Sequence, residues 1–364
     1  MKVAVLGAGG TIAPAIVRDL AESEEAEQLL LLDLDGEKAT AAAQRHGGGR
    51  AEAGEVDARA GLAEALAGTD VLVNSASYGV NLDAMRACLE AGCHYLDLGG
   101  LYHVTAEQLK LDGEFREAEL LGLLGMGSSP GKTNVMAVRA VRELGREPRS
   151  IDVLAAGRDP AAPAPLAGSP PEGLSVPYSL RTLIDELTLP PIAVRGGIAV
   201  ELEALSPAGR VQAGPLGELD TIFTLHSELL TFPDSFGCTE CSFRLSLAPE
   251  LLERLRELSS ASEAELDVAA RSALPPPPST VSVHLVDADG VRITATTKPM
   301  EEWGLGGGLV STAAPAAAAV RLLARGAIDA TGVLPPERCV DPEDMFPELE
   351  RRNCRFEMDA NVPS

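Results

Sequence analysis

Lys2-Val3-Ala4-Val5-Leu6-Gly7-Ala8-Gly9-Gly10-Thr11-Ile12-Ala13 opens the chain, and the reading of this stretch decides the fold. A short apolar run stops at three glycines separated only by alanine, and helix-type spacing begins at once. Such a turn between a strand and a helix lets backbone N–H groups and the positive helix end meet a pyrophosphate. Ile12 stands where the strict fingerprint has its third small residue and Ala13 follows one place later, as in G-x-G-x-x-x-A variants of the turn. The bland alternative is a glycine turn needed only for tight packing of strand on helix. Gly7, Gly9, Gly10, Thr11 and Ile12 are the expected dinucleotide contacts.

Outward from the turn, Leu29-Leu30-Leu31-Leu32 ends at Asp33. That is about 20 residues on, where a carboxylate accepts from a ribose 2′-OH and repels a 2′-phosphate. NAD is therefore expected over NADP, although Lys38 stands nearby. Asp57, past the third strand, either accepts from the adenine amino group or caps the next helix. Asn74-Ser75-Ala76 leaves the fourth strand and Asp97 the fifth, where the chain passes beneath the cofactor.

The same rhythm runs to about residue 126. Strands are expected near Val3–Leu6, Leu29–Asp33, Glu52–Val56, Asp70–Asn74, His94–Asp97 and Leu120–Leu124. Helices are expected over Thr11–Ala21, Gly36–His46, Gly61–Ala67, Leu82–Ala91 and Thr105–Ala118. Alternation of this kind builds an α/β fold, a Rossmann doubly wound parallel sheet. After Pro130 come a helix over Thr133–Leu144, a strand over Ile151–Ala156 and a Pro- and Ala-rich loop from Asp159 to Pro177. Beyond it, Thr221–Leu225, Ser242–Leu247, Thr280–Val286 and Val291–Thr297 read as strands of a second, mixed-sheet α/β domain. The last two flank Asp287-Ala288-Asp289-Gly290 as a hairpin, and Pro275–Pro278 is a stiff spacer before it. The tail holds an Ala-rich helix near Thr312–Arg325 and a Pro-punctuated end.

A net charge of -24 over 364 residues repels phosphate backbones and anionic bilayers, so neither nucleic acid nor membrane is an expected partner. No segment offers eighteen unbroken apolar residues, and Met1 runs straight into a strand; a cytoplasmic location is expected. The cysteines, sparse for this length, are read as reduced thiols. Cys238-Thr239-Glu240-Cys241 has zinc-like spacing but no second ligand pair, so no metal site is expected.

The chain resembles the saccharopine dehydrogenase-like enzymes, and within them the lysine 6-dehydrogenases. Gly7–Ala13, Val73–Ala76, Ala87–Asp97, Ser129–Val135, Thr224–Glu228 and Gly332–Glu337 carry the likeness, which runs nearly end to end. Saccharopine-cleaving members usually have Asp-Pro-Gly where this chain has Ser129-Pro130-Gly131, which argues against saccharopine as substrate. The resemblance implies a Rossmann domain over residues 1–128 completed by 305–364. It implies a middle domain over 129–304 that shapes the substrate cleft and a homodimer interface, and hydride transfer at a C–N bond.

Gly127–Thr133 nearly spells a phosphate-binding loop, but Met126 stands where that pattern requires glycine. As a Pro-Gly turn opening a helix, it brings Thr133 and Asn134 toward cofactor or substrate. His226, with Glu228 to hold its tautomer, suits proton transfer; the alternative is a histidine that completes hydrogen bonds at a strand end. Ser227 between them is read as a substrate contact. Tyr178 and Arg181 either face a substrate carboxylate or lie on a surface helix. The expected reaction is NAD-dependent oxidative deamination of the ε-amine of L-lysine, with His226 as base. Two alternatives stand beside it: a reductase joining an amine to a carbonyl, of the saccharopine or carboxynorspermidine type, and a non-catalytic NAD(P)-binding sensor.

Overall fold

The computed structural model describes residues 1–159, 176, 179–258, 260–272, 274 and 276–360. Strands and helices alternate first as β1 (Lys2–Leu6), α1 (Ala13–Ala21), β2 (Gln28–Asp33), α2 (Gly36–His46), β3 (Ala51–Glu55), α3 (Leu62–Ala65) and β4 (Val71–Asn74). They continue as α4 (Asn81–Ala91), β5 (His94–Asp97), α5 (Tyr102–Leu109), α6 (Asp112–Glu117) and β6 (Leu121–Leu123). These strands lie parallel in the order β3-β2-β1-β4-β5-β6. The winding therefore reverses between β1 and β4, and a crevice opens there at the carboxyl ends of the strands. Val3 and Val5 of β1 point into the core beneath α1, while Ala4 and Leu6 point into the one around Met85 and Cys88 of α4. Burial on both faces is why these strands read as unbroken apolar runs.

The remaining elements are α7 (Lys132–Leu144), β7 (Ser150–Arg158), α8 (Leu180–Thr188), β8 (Ile192–Arg195), β9 (Ile198–Glu201), β10 (Pro207–Gln212), β11 (Glu218–Phe223) and α9 (Glu228–Phe236). They are followed by β12 (Glu240–Ser246), α10 (Pro249–Leu258), α11 (Glu263–Ser272), β13 (Val281–Ala288), β14 (Val291–Thr297), α12 (Gly307–Ala324), β15 (Gly332–Leu334), α13 (Pro342–Glu350) and β16 (Cys354–Ala360). A second, mixed sheet runs β10-β11-β12-β7-β13-β14-β16, with β8 and β9 branching from β12. The β13–β14 hairpin turns on Asp289 and Gly290, both at positive φ, and Asp287 accepts the Gly290 N–H at 2.8 Å. Residues 160–175 and 177 of the expected loop, Tyr178, and Pro275 at the head of the proline spacer lie outside the described residues.

Two expectations need correction. The segment read as one helix over Thr105–Ala118 is α5 and α6, which break at Lys110–Leu111. The tail does not serve the first domain alone: β15 pairs with β6, but β16 pairs antiparallel with β14 along its whole length, as the edge of the second sheet. Stacking of Phe356 on Phe346 of α13, with ring centroids 3.9 Å apart, holds that edge down. Between the sheets runs α12, whose length and composition would suffice to cross a membrane; here 78% of it is buried inside the fold. Its alanines let it pack closely on α1, so one apolar core is continuous from the first sheet to the second.

Candidate active site

The glycine turn sits at the β1–β4 crevice. Gly7 has φ +78°, and a Cβ there would lie 2.7 Å from the Ala76 backbone nitrogen, so only glycine lets the turn close against the β4 exit. Gly9, Gly10 and Thr11 are exposed, and among the described residues no acceptor meets the N–H groups of Thr11 and Ile12. Open N–H donors at a helix start fit a pyrophosphate. Asp33 lies at the lip of this turn, its Oδ2 accepting the Gly9 N–H at 2.8 Å and its Oδ1 the Asp35 N–H at 3.0 Å. Both oxygens keep a lone pair for a sugar hydroxyl. Beside it lies the Lys38 stem, its ammonium 3.5 Å from Asp35. The turn, Asp33 and the Ser75–Ala76 backbone thus suit a dinucleotide. Asp57 accepts the Arg59 N–H at 2.9 Å in the loop before α3, whose N-cap is Gly61 with no side-chain hydrogen bond, so it does not cap that helix.

Asn74 and Asp97 are corrections, because both side chains turn inward and are 1% exposed. Asn74 donates to Asn81 at 3.0 Å and to Tyr95 at 3.2 Å. Asp97 accepts from Tyr95 (2.9 Å), Asn81 (3.1 Å), Gln108 (2.7 Å) and the N–H groups of Gly99 (3.0 Å) and Gly125 (2.6 Å). Burial raises its carboxyl pKa, against the pull of these donors. What Asp97 builds is the cleft wall: a Cβ on Gly125 would lie 2.6 Å from the Pro130 ring, so the turn that Asp97 holds clasps Pro130 ahead of α7. Asp97→Ala is expected to cost about 3 kcal/mol or more, because it strands several buried donors. An unfolding free energy from denaturant titration within about 0.5 kcal/mol of the parent's would refute the assignment.

Helix α7 carries its first residues inward. Lys132, 1% exposed, reaches the Ser311 and Thr297 hydroxyls rather than any phosphate position, and burial lowers its pKa. Asn134 accepts the Gly131 N–H at 2.7 Å and donates to Glu337 at 2.7 Å. Together with Ser227 it borders a recess of only about 10 Å³, too small for a substrate. The Asn134 side chain is engaged within the protein by Gly131 and Glu337, which corrects the substrate contact expected of it, and Ser227 is buried beside it. Thr133, fully buried, donates to Glu228 Oε1 at 2.9 Å, so it too serves the protein's interior.

His226 and Glu228 do come together. His226 Nδ1 lies 3.0 Å from Glu228 Oε2, and the ring stacks on Phe243 at 3.5 Å. Across the ring, Nε2 faces Glu186 Oε1 at 3.8 Å. Burial works against a charged imidazole, but Glu228, through charge and hydrogen bond, and then Glu186 outweigh it, and the pKa is raised. Glu186 went unforeseen in the sequence. Its signal was a carboxylate on the buried stripe of α8, among Leu183, Ile184 and Leu187. On the same helix Arg181 pairs with Asp185 at 3.2 Å, and Asp185 takes the hydroxyl of Tyr78, which follows β4. Helix α8 thereby touches the first domain at Tyr78.

Residues 3–123 match the family model described as the saccharopine dehydrogenase NADP binding domain. Carboxyaminopropylagmatine dehydrogenase of a Synechocystis species is 23% identical over 278 residues, 73% of this chain and 67% of that protein. Carboxynorspermidine synthase of Vibrio alginolyticus is 33% identical over 95 residues, 23% of each. Apo saccharopine dehydrogenase (L-Glu forming) of Saccharomyces cerevisiae has the same fold, with a TM-score of 0.69 over 99% of this chain and 100% of its own, at 16% identity. The first domain is thus similar to a nicotinamide dinucleotide-binding domain, and the whole chain shares the fold of the yeast saccharopine dehydrogenase.

Proposed function

We propose that this protein is a nicotinamide dinucleotide-dependent oxidoreductase that makes or breaks a C–N bond at an amine, with His226 as the proton-transferring group. The carrying observation is the buried imidazole held between Glu228 and Glu186 in a chain whose first domain carries the open glycine turn. The bound nicotinamide supplies the hydride acceptor or donor. The protein's part is to hold the amine near Nε2, to move one proton at that atom and to keep water out. Glu228 keeps the ring oriented, and the charge of Glu186 favours a cationic nitrogen beside it. The names of the two relatives favour a secondary amine joined to a carboxylate-bearing carbon over simple deamination of lysine. Lysine's ε-amine remains the simplest substrate the same chemistry admits.

The test follows nicotinamide absorbance over lysine, ornithine, saccharopine, carboxyalkyl polyamines and mixtures of amine with aldehyde. Turnover with a secondary amine, or its formation from the mixtures, supports this reading. Tight dinucleotide binding with silence across the whole panel would leave a sensor in its place. We propose NAD as the preferred cofactor, on the position of Asp33. Asp33→Ser is expected to raise affinity for NADP relative to NAD by about tenfold or more, because a like charge beside the 2′-phosphate is removed. An unchanged ratio by calorimetry would mean that Lys38, not Asp33, governs the choice. A homodimer belongs to the same proposal, and sedimentation equilibrium tests it.

A further inference from the structure

His226 is nearly closed off: its ring is 8% exposed, stacked on Phe243 and flanked by two glutamates. A proton-transferring group so placed needs a path to exchange its proton with water. One line of hydroxyls reaches it. Ser129 Oγ donates to Thr133 Oγ1 at 3.0 Å, Thr133 Oγ1 donates to Glu228 Oε1 at 2.9 Å, and Glu228 Oε2 lies 3.0 Å from His226 Nδ1. Thr133 and Glu228 are fully buried, whereas Ser129 is only partly covered and sits in the turn that Asp97 and Gly125 hold at the cleft wall. Alternate atoms of this line can each accept one proton while giving up another.

We propose that Ser129, Thr133 and Glu228 form a proton wire that connects His226 to water in the cleft. The proposal deepens the C–N oxidoreductase reading, and its part in turnover rests on that reading. With the hydroxyls oriented as they stand, a proton from water binds Ser129 Oγ as Ser129 passes its own to Thr133. Thr133 then passes its proton to the Glu228 carboxylate at Oε1, the carboxyl group turns to present that proton toward the ring, and the bare Nδ1 of an imidazole protonated at Nε2 accepts it. Each hydroxyl ends with the one proton it began with. Rotation of the two hydroxyls reverses the flow and carries a proton out. Ser129 and Thr133 are positioning residues on this account, since neither touches the amine.

The wire can be tested on the whole protein without any substrate. In protein carrying ¹⁵N-histidine, the ring signal of His226 is assigned by its loss in His226→Gln, and exchange of its Nδ1 proton with water is measured by saturation transfer. Ser129→Ala keeps the Thr133–Glu228 bond, so a merely structural role predicts no change; the wire predicts exchange slowed by about tenfold. Thr133→Val should slow it at least as much, and Thr133→Ser should restore it. Unchanged exchange in Ser129→Ala overturns the wire, whatever the enzyme turns over. Slowed exchange in a protein that oxidises no amine upholds the wire and removes the C–N reading instead.

Discussion

A His226→Gln variant is expected to bind the dinucleotide as the parent does and to lose turnover by about 10²–10⁴-fold, the usual contribution of a positioned acid–base group. The substitution keeps a hydrogen-bonding side chain of similar reach against Phe243 and Glu228, so loss of fold is not the expected cause. The pH profile carries the sharper information. Because the imidazole pKa is raised, the imidazolium persists above the ordinary histidine range. Reduction, which needs the acid, should fall as pH climbs through that raised value; oxidation, which needs the base, should rise through the same value. Glu228→Gln removes the foremost of the groups holding the proton, so burial gains ground and both limbs should move to lower pH. The same shift bears on stability: what protonated His226 contributes is fully present below the histidine pKa of the unfolded chain and is lost as pH rises through the folded one. A His226→Gln enzyme with parental turnover, or limbs that stay put in Glu228→Gln, would hand the proton transfer to another group.

The first domain was legible because all its strands but the edge strand β3 lie in mid-sheet. Val3–Leu6 and Val71–Asn74 are covered on both faces, and each ends at a turn whose glycines or small polar residues announce it. Exposed strands of the second sheet left no such trace. Ile198–Glu201 is exposed throughout, and Pro207–Gln212 nearly so, so neither has an apolar alternation to read. The break between α5 and α6 falls at Lys110–Leu111, where neither glycine nor proline marks it. In the site, the glycine turn and Asp33 were readable since backbone geometry and chain spacing place them. Asp97 was misread for a physical reason: at the tip of a buried parallel strand, the direction of a carboxylate depends on who meets it. Asn81, Gln108 and Gly125 come from three other segments. His226 and Glu228 are two residues apart in the chain, so their contact could be foreseen; Glu186 reaches the same ring only through the packing of α8.

Arg321→Ala is expected to destabilise the protein by about 3 kcal/mol or more, because it leaves two buried carboxylates short of their shared cation. From the middle of the fold, Arg321 donates to Asp19 of α1 at 2.7 Å and to Glu348 of α13 at 2.6 Å. All three side chains are at most 5% exposed, so water cannot replace the lost partner. Arg352 still reaches Asp19 and Arg325 still reaches Glu348, each at 2.7 Å, which keeps the cost from rising further. This cluster ties the dinucleotide domain to the tail that also supplies β15 and β16, and its failure should loosen both sheets together. Burial raises the pKa of Glu348, but hydrogen bonds and charge from Arg325 and Arg321 win and the net shift is downward. Its contribution is therefore present above the ordinary glutamate range and is lost as pH falls through the depressed value. The gap between parent and Arg321→Ala should narrow in acid accordingly. Replacing Asp19, Arg321 and Glu348 together with apolar residues of similar volume should recover much of the loss, since no buried charge is then stranded. A gap below about 1 kcal/mol at neutral pH, or one that stays constant into acid, would mean that Arg352 and Arg325 neutralise the two carboxylates unaided.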